Sequence, residues 1–205
     1  MRQRRRFLIT GTGARVGKTT VGCALGFAMR ARGMRVGVMK PVDTVESQDA
    51  QALALAVGSI LPMELICPYR FSSAVASVDA DLAHIVHCFG KIAAQNDVVL
   101  VESEGTIDTP IAAGSDFADL AAMLALDVIV IVGNRPDCAD AAMVAIQRCE
   151  SRGLEVAGYI LCDCDAIASA TEVTERSLQR LLNVPYLGRM RHREPLARTI
   201  VEKLI

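Results

Sequence analysis

The sequence has no tryptophan, and aromatic residues make up only 4% of it, which leaves little for stacking the bases of single-stranded nucleic acid. An excess of one charge is missing as well. The 22 Lys and Arg stand against 23 Asp and Glu for a formal net charge of −1, so no surface is built to neutralise many phosphates of a nucleic acid. No run reaches the roughly 18 apolar residues of a membrane-spanning helix, since the best candidate, Leu120 to Val132, is broken by Asp127. Neither nucleic acid nor membrane is expected as a partner. The basic stretch Met1 to Arg6 runs into Phe7-Leu8-Ile9-Thr10 without the apolar core of a signal peptide, and it reads as a short solvated arm. The seven cysteines are odd in number and scattered, unlike the disulfide framework of a secreted protein. A cytoplasmic location is the expectation.

What is present suits one domain with a sizeable core: 205 residues, 52% hydrophobic and 22% charged. Short apolar or β-branched runs at Arg6 to Thr10, Val36 to Lys40, Val98 to Glu102, Val128 to Val132, Val156 to Leu161 and Tyr186 to Gly188 read as strands. Helix-period segments lie between them at Lys18 to Arg32, Asp49 to Val57, Asp81 to Gln95, Phe117 to Leu126, Ala139 to Arg152 and Glu172 to Leu182. Gly33, Gly58 and Gly153 mark helix ends. The alternation predicts an α/β fold with a mostly parallel central sheet and helices on both faces. The irregular stretch Gly58 to Val78 is expected to form a lobe or lid.

Gly11-Thr12-Gly13-Ala14-Arg15-Val16-Gly17-Lys18-Thr19-Thr20 joins the first strand to the first helix, which is where a phosphate-binding loop must sit. Its glycines permit the turn, and successive N–H groups at the helix N-terminus face an anion. Gly13 to Thr20 are therefore candidate nucleotide ligands, with Lys18 adding a point charge and Thr19 a hydroxyl for Mg²⁺. Five residues separate Gly11 from Gly17, one more than the usual pattern, so the loop is a variant of the P-loop NTPase type. Lys40 closes the second strand, and strand carboxyl ends face the ligand crevice of an open α/β sheet. Glu102 ends the third strand as a Walker B acid does, a position from which a carboxylate can hold Mg²⁺. Asp49 opens a helix, where a metal ligand and a plain cap are equally open readings.

Taken in order, Gly11-Thr12 with Val16-Gly17-Lys18-Thr19, Lys40-Pro41-Val42 with Thr44, Ser47 to Ala50, Pro68-Tyr69-Arg70-Phe71, Val101-Glu102, Asp116-Phe117-Ala118 and Pro185-Tyr186-Leu187-Gly188 resemble the dethiobiotin synthetase family. The resemblance implies an ATP-dependent, Mg²⁺-dependent ligase acting on 7,8-diaminopelargonic acid and CO₂ or bicarbonate. One amine becomes a carbamate, ATP phosphorylates it, and the second amine displaces phosphate to close the ureido ring of dethiobiotin. By position it implies Thr19, Asp49 and Glu102 as magnesium ligands, Lys18 and Lys40 as the lysines at the reacting phosphate, and Thr12 and Thr44 on the substrate side. Asp163 falls at the base-contacting position, and a homodimer is implied.

The chain also departs from the family pattern. Arg15 replaces a Glu, Ser103-Glu104-Gly105-Thr106 replaces Gly-Ala-Gly-Gly, Pro136 to Ala141 replaces a segment that receives the substrate carboxylate, and Cys162-Asp163 replaces Asn-Asp. The alternative is a related P-loop NTPase with an altered substrate, or a nucleotide-dependent switch. His84, His87 and Cys88 share a helix but lack a partner pair at a zinc-site interval, and they read as helix-surface residues. Cys162 and Cys164 read as buried thiols or neighbours of the base pocket.

Overall fold

The computed structural model describes residues 5–72, 79–163, 172–192, 194, 196 and 198–205. The first strand, β1 (Arg5–Gly11), leads into α1 (Lys18–Arg30) and β2 (Val36–Met39). Four short elements follow: β3 (Val42–Thr44), α2 (Asp49–Ala56), α3 (Met63–Ile66) and β4 (Tyr69–Phe71). Then come α4 (Leu82–Gln95), β5 (Val98–Glu102), the hairpin β6 (Pro110–Ala112) and β7 (Ser115–Asp116), and α5 (Phe117–Leu124). The chain finishes with β8 (Asp127–Gly133), α6 (Cys138–Ser151), β9 (Val156–Cys162), α7 (Glu172–Leu181), β10 (Tyr186–Met190) and α8 (Arg198–Glu202).

Six strands form one sheet in the order β10-β9-β8-β1-β5-β2, and every pairing in it is parallel. Alternation along β1 explains why both faces need helices. Phe7 and Ile9 enter a core shared with Val21, Leu25 and Met29 of α1, Leu53 of α2 and Ile200 of α8. Leu8 enters the opposite core with Phe89 and Ile92 of α4, Phe117 of α5, Ile146 of α6 and Leu178 of α7. Each such fully buried aliphatic or aromatic side chain contributes about 1.5–3 kcal/mol. After β1 the chain passes over the place later filled by β5, and from β5 it returns to the other side of β1 to lay down β8. The order reverses at β1, which opens a crevice at that strand's carboxyl end.

All six expected strands and six expected helices are present, with ends moved by a few residues. Two expectations need correction. Gly58 to Val78 is not irregular throughout, because it contains α3 and β4, and β4 pairs in parallel with β3; residues 73–78 lie outside the described residues. The basic arm is not free at Arg5 and Arg6, which are partly buried and belong to β1. Arg5 Nη1 donates to the Leu204 carbonyl at 2.6 Å, and the Arg6 guanidinium lies 5.5 Å from the Phe89 ring centre. Met1 to Arg4 and Cys164 lie outside the described residues.

Candidate active site

The loop between β1 and α1 is held from beneath by Val16, which is buried. A Cβ on Gly11 would lie 2.5 Å from Val16 Cγ2 and 3.3 Å from Lys18 Cδ, so glycine is what lets the strand end meet its own loop. Gly17 precedes the helix at φ 95°, a left-handed turn that suits glycine. Arg15 takes φ 54° without that freedom, a strain of about 1–2 kcal/mol held in the loop. The first turn of α1 contains no acidic residue, leaving the positive end of its dipole to an anion. Lys18 Nζ donates to the Gly13 carbonyl at 3.2 Å. Burial pulls its ammonium below the ordinary lysine range, Lys40 adds to the fall and Glu102 opposes it.

Lys40 follows β2 directly. Its N–H donates to the Ile66 carbonyl at 2.8 Å, which fixes the strand end against α3, and its side chain is 1% exposed. Three carboxylates converge on Nζ: Glu102 Oε1 at 2.8 Å, Glu104 Oε2 at 3.0 Å and Asp49 Oδ2 at 3.3 Å. Burial acts to lower the Lys40 pKa, yet the three acids together outweigh it and hold the group charged, well above the usual lysine value. Burial raises Glu102 above the usual carboxylate range against the pull of Lys40 and Thr19. With both partners shifted upward, the ammonium of Lys40 keeps the proton, since it faces three acids and Glu102 faces one cation at contact.

The loop before α2 explains why Asp49 reaches this cluster. Asp43, buried beneath it, accepts from the N–H groups of Thr44 at 2.9 Å and Ala50 at 3.5 Å. Arg70 Nη2 donates to the carbonyls of Thr44, Val45 and Ser47, and Ser47 Oγ accepts from Asp49 N–H at 3.1 Å. Gln48, not Asp49, is the residue before the helix, and it makes no side-chain cap. The Asp49 carboxylate is thus directed at Lys40 and caps nothing.

Thr19 Oγ1 donates to Glu102 Oε1 at 2.8 Å, while Glu102 Oε2 is buried without a hydrogen-bond partner among the described residues. A buried carboxylate with one oxygen on the Thr19 hydroxyl and the other unpaired, sharing Lys40 with the Asp49 carboxylate, is a donor set that fits Mg²⁺, which takes one or two carboxylates and fills its octahedron with water and phosphate oxygens. No group of three or more His, Cys, Asp or Glu side chains among the described residues forms a metal site from the protein alone. His84 instead packs edge-on against Tyr69 and stands 3.6 Å from Cys88 Sγ.

Arg15, Lys18, Thr19, Lys40, Asp49 and Glu104 line one cleft of about 410 Å³. Of the expected site residues, Ala14, Gly17 and Thr20 also line it, whereas Gly13 meets it only through the Lys18 contact and Val16 lies beneath. Thr12 is placed elsewhere, on a second cleft of about 290 Å³ with Thr106, Asp108, Asp137, Asp140 and Arg148. Thr44 lines neither cleft; its N–H is held by Asp43 and its carbonyl by Arg70. Asp163 follows β9 and is already engaged, with Arg189 Nη2 at 3.0 Å and the Asn134 amide donating to Oδ1. Asn134 Oδ1 has no partner among the described residues.

Glu104, Asn134, Arg189, Asp43 and Arg70 are the residues of this region that the sequence did not single out for a role. For Glu104 a signal existed. It stands two residues after Glu102, and alternation at a strand end sends both to one side.

Residues 5–199 match the family described as an AAA domain. The chain is 35% identical to the ATP-dependent dethiobiotin synthetase BioD of Anaeromyxobacter dehalogenans strain 2CP-C, over 94% of this chain and 88% of that one. It is 32% identical to the enzyme of the same name from Janthinobacterium sp. strain Marseille, over 88% and 85%. Among solved structures, a ParA family ATPase from Chlorobium tepidum TLS superposes with TM-score 0.63 at 12% identity, over 98% of this chain and 90% of that one. The MinC:MinD cell division protein complex of Aquifex aeolicus gives 0.61 at 15%, over 97% and 86%. At such identities these two establish a shared fold alone.

Proposed function

The chain belongs to the dethiobiotin synthetase family of ATP-using ligases, and we propose that the cleft around Lys18 and Lys40 is where it joins ATP to a carbamylated diamine. The observation that carries this assignment is that Asp49 and Glu102, from two separate elements, both contact the Lys40 ammonium, which lines the cleft beside the phosphate loop together with Asp49. A bare nucleotide-binding turn has no use for that cluster.

In this reading the loop N–H groups and Lys18 hold the ATP phosphates, and Thr19, Asp49 and Glu102 hold Mg²⁺. When bound, the ion neutralises charge on the phosphate oxygens. Lys40 binds the carbamate and the oxygens of the phosphoryl group whose phosphorus the carbamate attacks, offsetting the repulsion of two anions brought together. Its ammonium has three donors, so a carboxylate that turns to the ion leaves a donor for the anion. The carbamate oxygen takes the γ-phosphoryl group from ATP, releasing ADP. The second amine then attacks the carbonyl carbon and expels phosphate as the ring closes. No protein nucleophile is required. The 205 residues act as one ATP-binding domain, in the cytoplasm, as a homodimer.

The test is ADP release by the purified protein. It is expected to need diaminopelargonate, bicarbonate and Mg²⁺ together, and the gene is expected to restore growth of a biotin auxotroph on diaminopelargonate. ATP turnover indifferent to the diamine would count against the ligase and for a nucleotide switch. A second reading, a ligase of this family with an altered substrate tail, is favoured by Asp137 and Asp140 on the second cleft, because carboxylates at the start of α6 repel an anionic tail. A lower KM for the diamine amide than for the free acid would select it.

A further inference from the structure

Among the acids around Lys40, Glu104 is the one that phosphate and metal binding leave without a task. Asp49 and Glu102 are assigned to the ion, and Lys40 is already hydrogen-bonded to Glu102. The Glu104 contact with Nζ, 3.0 Å long, is an ion pair outside hydrogen-bond geometry, and Oε2 is buried with no hydrogen-bond partner among the described residues. Its side chain lines the cleft at 23% exposure. A third carboxylate facing ATP and a carbamate repels both, unless the loaded site also contains a cation for it.

The turn that presents Glu104 is tied by hydrogen bonds. Ser103 is fully buried, its hydroxyl donates to the Gly105 carbonyl at 3.0 Å, and Thr10 Oγ1 stands 3.1 Å away. A Cβ on Gly105 would fall 2.4 Å from Thr109 Oγ1, so glycine is what leaves that hydroxyl in place to accept from the Thr106 N–H at 2.9 Å. Glu104 is held toward the cleft between two anchored neighbours.

The proposed substrate supplies the missing cation. One of its nitrogens becomes the carbamate, and the other remains an amino group on the adjacent carbon. We propose that Glu104 binds this second amino group, making it the residue that selects a vicinal diamine over a monoamine. Two amino groups on adjacent carbons stand about 3 Å apart in a gauche rotamer, so the groups that bind them must be neighbours, and Glu104 Oε2 stands 3.0 Å from the Lys40 ammonium. An acceptor for one nitrogen thus lies beside the donor for the carbamate on the other. This inference rests on the diamine reading above.

The experiment compares wild type with Glu104→Gln, which preserves size and removes charge. Steady-state kinetics are expected to show KM for diaminopelargonate raised about 10–100-fold, with KM for ATP unchanged or lower. Calorimetric titration of diaminopelargonate without nucleotide should show the same loss. A monoamine analogue lacking the second nitrogen should bind wild type and variant alike, and wild type should prefer the diamine to it at least tenfold. This last comparison uses no variant and stands even if Glu104→Gln fails to fold. A variant that loses kcat alone, or raises both KM values equally, makes Glu104 a holder of Lys40 and overturns the inference, as does equal wild-type affinity for diamine and monoamine. Failure of the underlying reading looks different: wild type binds ATP and forms no dethiobiotin.

Discussion

At the scale of single residues, two lysines in one cleft have different surroundings and are expected to fail differently. Lys18 touches the loop and is pulled down by burial, whereas Lys40 is the hub of three acids. Lys18→Ala should weaken ATP binding by about 10–100-fold, a charged hydrogen bond being worth about 1.5–3 kcal/mol. Lys40→Ala should leave ATP affinity within a few fold and slow turnover. It also leaves Glu102, 1% exposed, without its cation, a loss of about 3–5 kcal/mol of stability. Mg²⁺ should restore more of the melting temperature in this variant than it adds to wild type, and thermal unfolding with and without Mg²⁺ checks that. Gly11→Ala places a methyl group against Val16 and Lys18, and a nucleotide titration should find its affinity lowered with the fold intact by circular dichroism. Lys18 was legible from the glycine-rich loop that precedes it, and Lys40 and Glu102 because polar groups closing apolar strands are visible in a linear pattern. Arg189, which occupies Asp163, was not, since an arginine in a short strand carries no mark of what it will meet.

At the scale of elements, α5 shows how a local signal and a distant partner combine. Asp116 and Asp119 form a reciprocal capping box at its start, and Arg152, just past the end of α6, pairs with both at 2.8 Å and 2.6 Å. Burial acts to raise the Asp116 pKa, but Arg152 and the N–H groups of Asp119 and Ala118 outweigh it and hold the carboxyl below the usual value. A carboxylate with a depressed folded pKa stabilises fully above its unfolded pKa near 4 and loses that contribution as pH falls through the folded value. Asp116→Asn keeps an oxygen for the cap but gives up the charge facing Arg152, so it should cost up to about 1 kcal/mol at neutral pH, and the gap from wild type should close as pH falls below about 4 in urea melts at a series of pH values. The long helices were legible because their apolar period repeats over three or more turns. β3 and β4 are three residues each, too short for any period to declare itself, and their pairing depends on Arg70 and Asp43 tying the loops between them.

At the scale of the whole molecule, the strand order matters more than any one contact. With β5 and β8 on either side of β1, the ends of β1 and β2 deliver the glycine-rich loop and Lys40 to one crevice, and the end of β5 places Glu102 behind them against Lys40 and Thr19. Ligand occupancy should then stabilise the whole sheet: Mg·ATP at 100 times its Kd is expected to add about 2.7 kcal/mol to unfolding. Lys18→Ala should lose most of that increment at the same ATP concentration, and chemical denaturation read by circular dichroism checks both.

Read as a line of residues, the chain determined its α/β class, its phosphate loop and the two strand-end groups Lys40 and Glu102, because periodicity and local turn chemistry act over a few neighbouring positions. Tertiary structure alone decided that Asp49 turns to Lys40 and does not cap its helix, that Thr12 lines a separate cleft, and that Asp163 is already taken by Arg189. Each of those outcomes depends on which charge lies nearest in space, and parallel strands joined by long crossovers bring together groups that are dozens of positions apart along the chain.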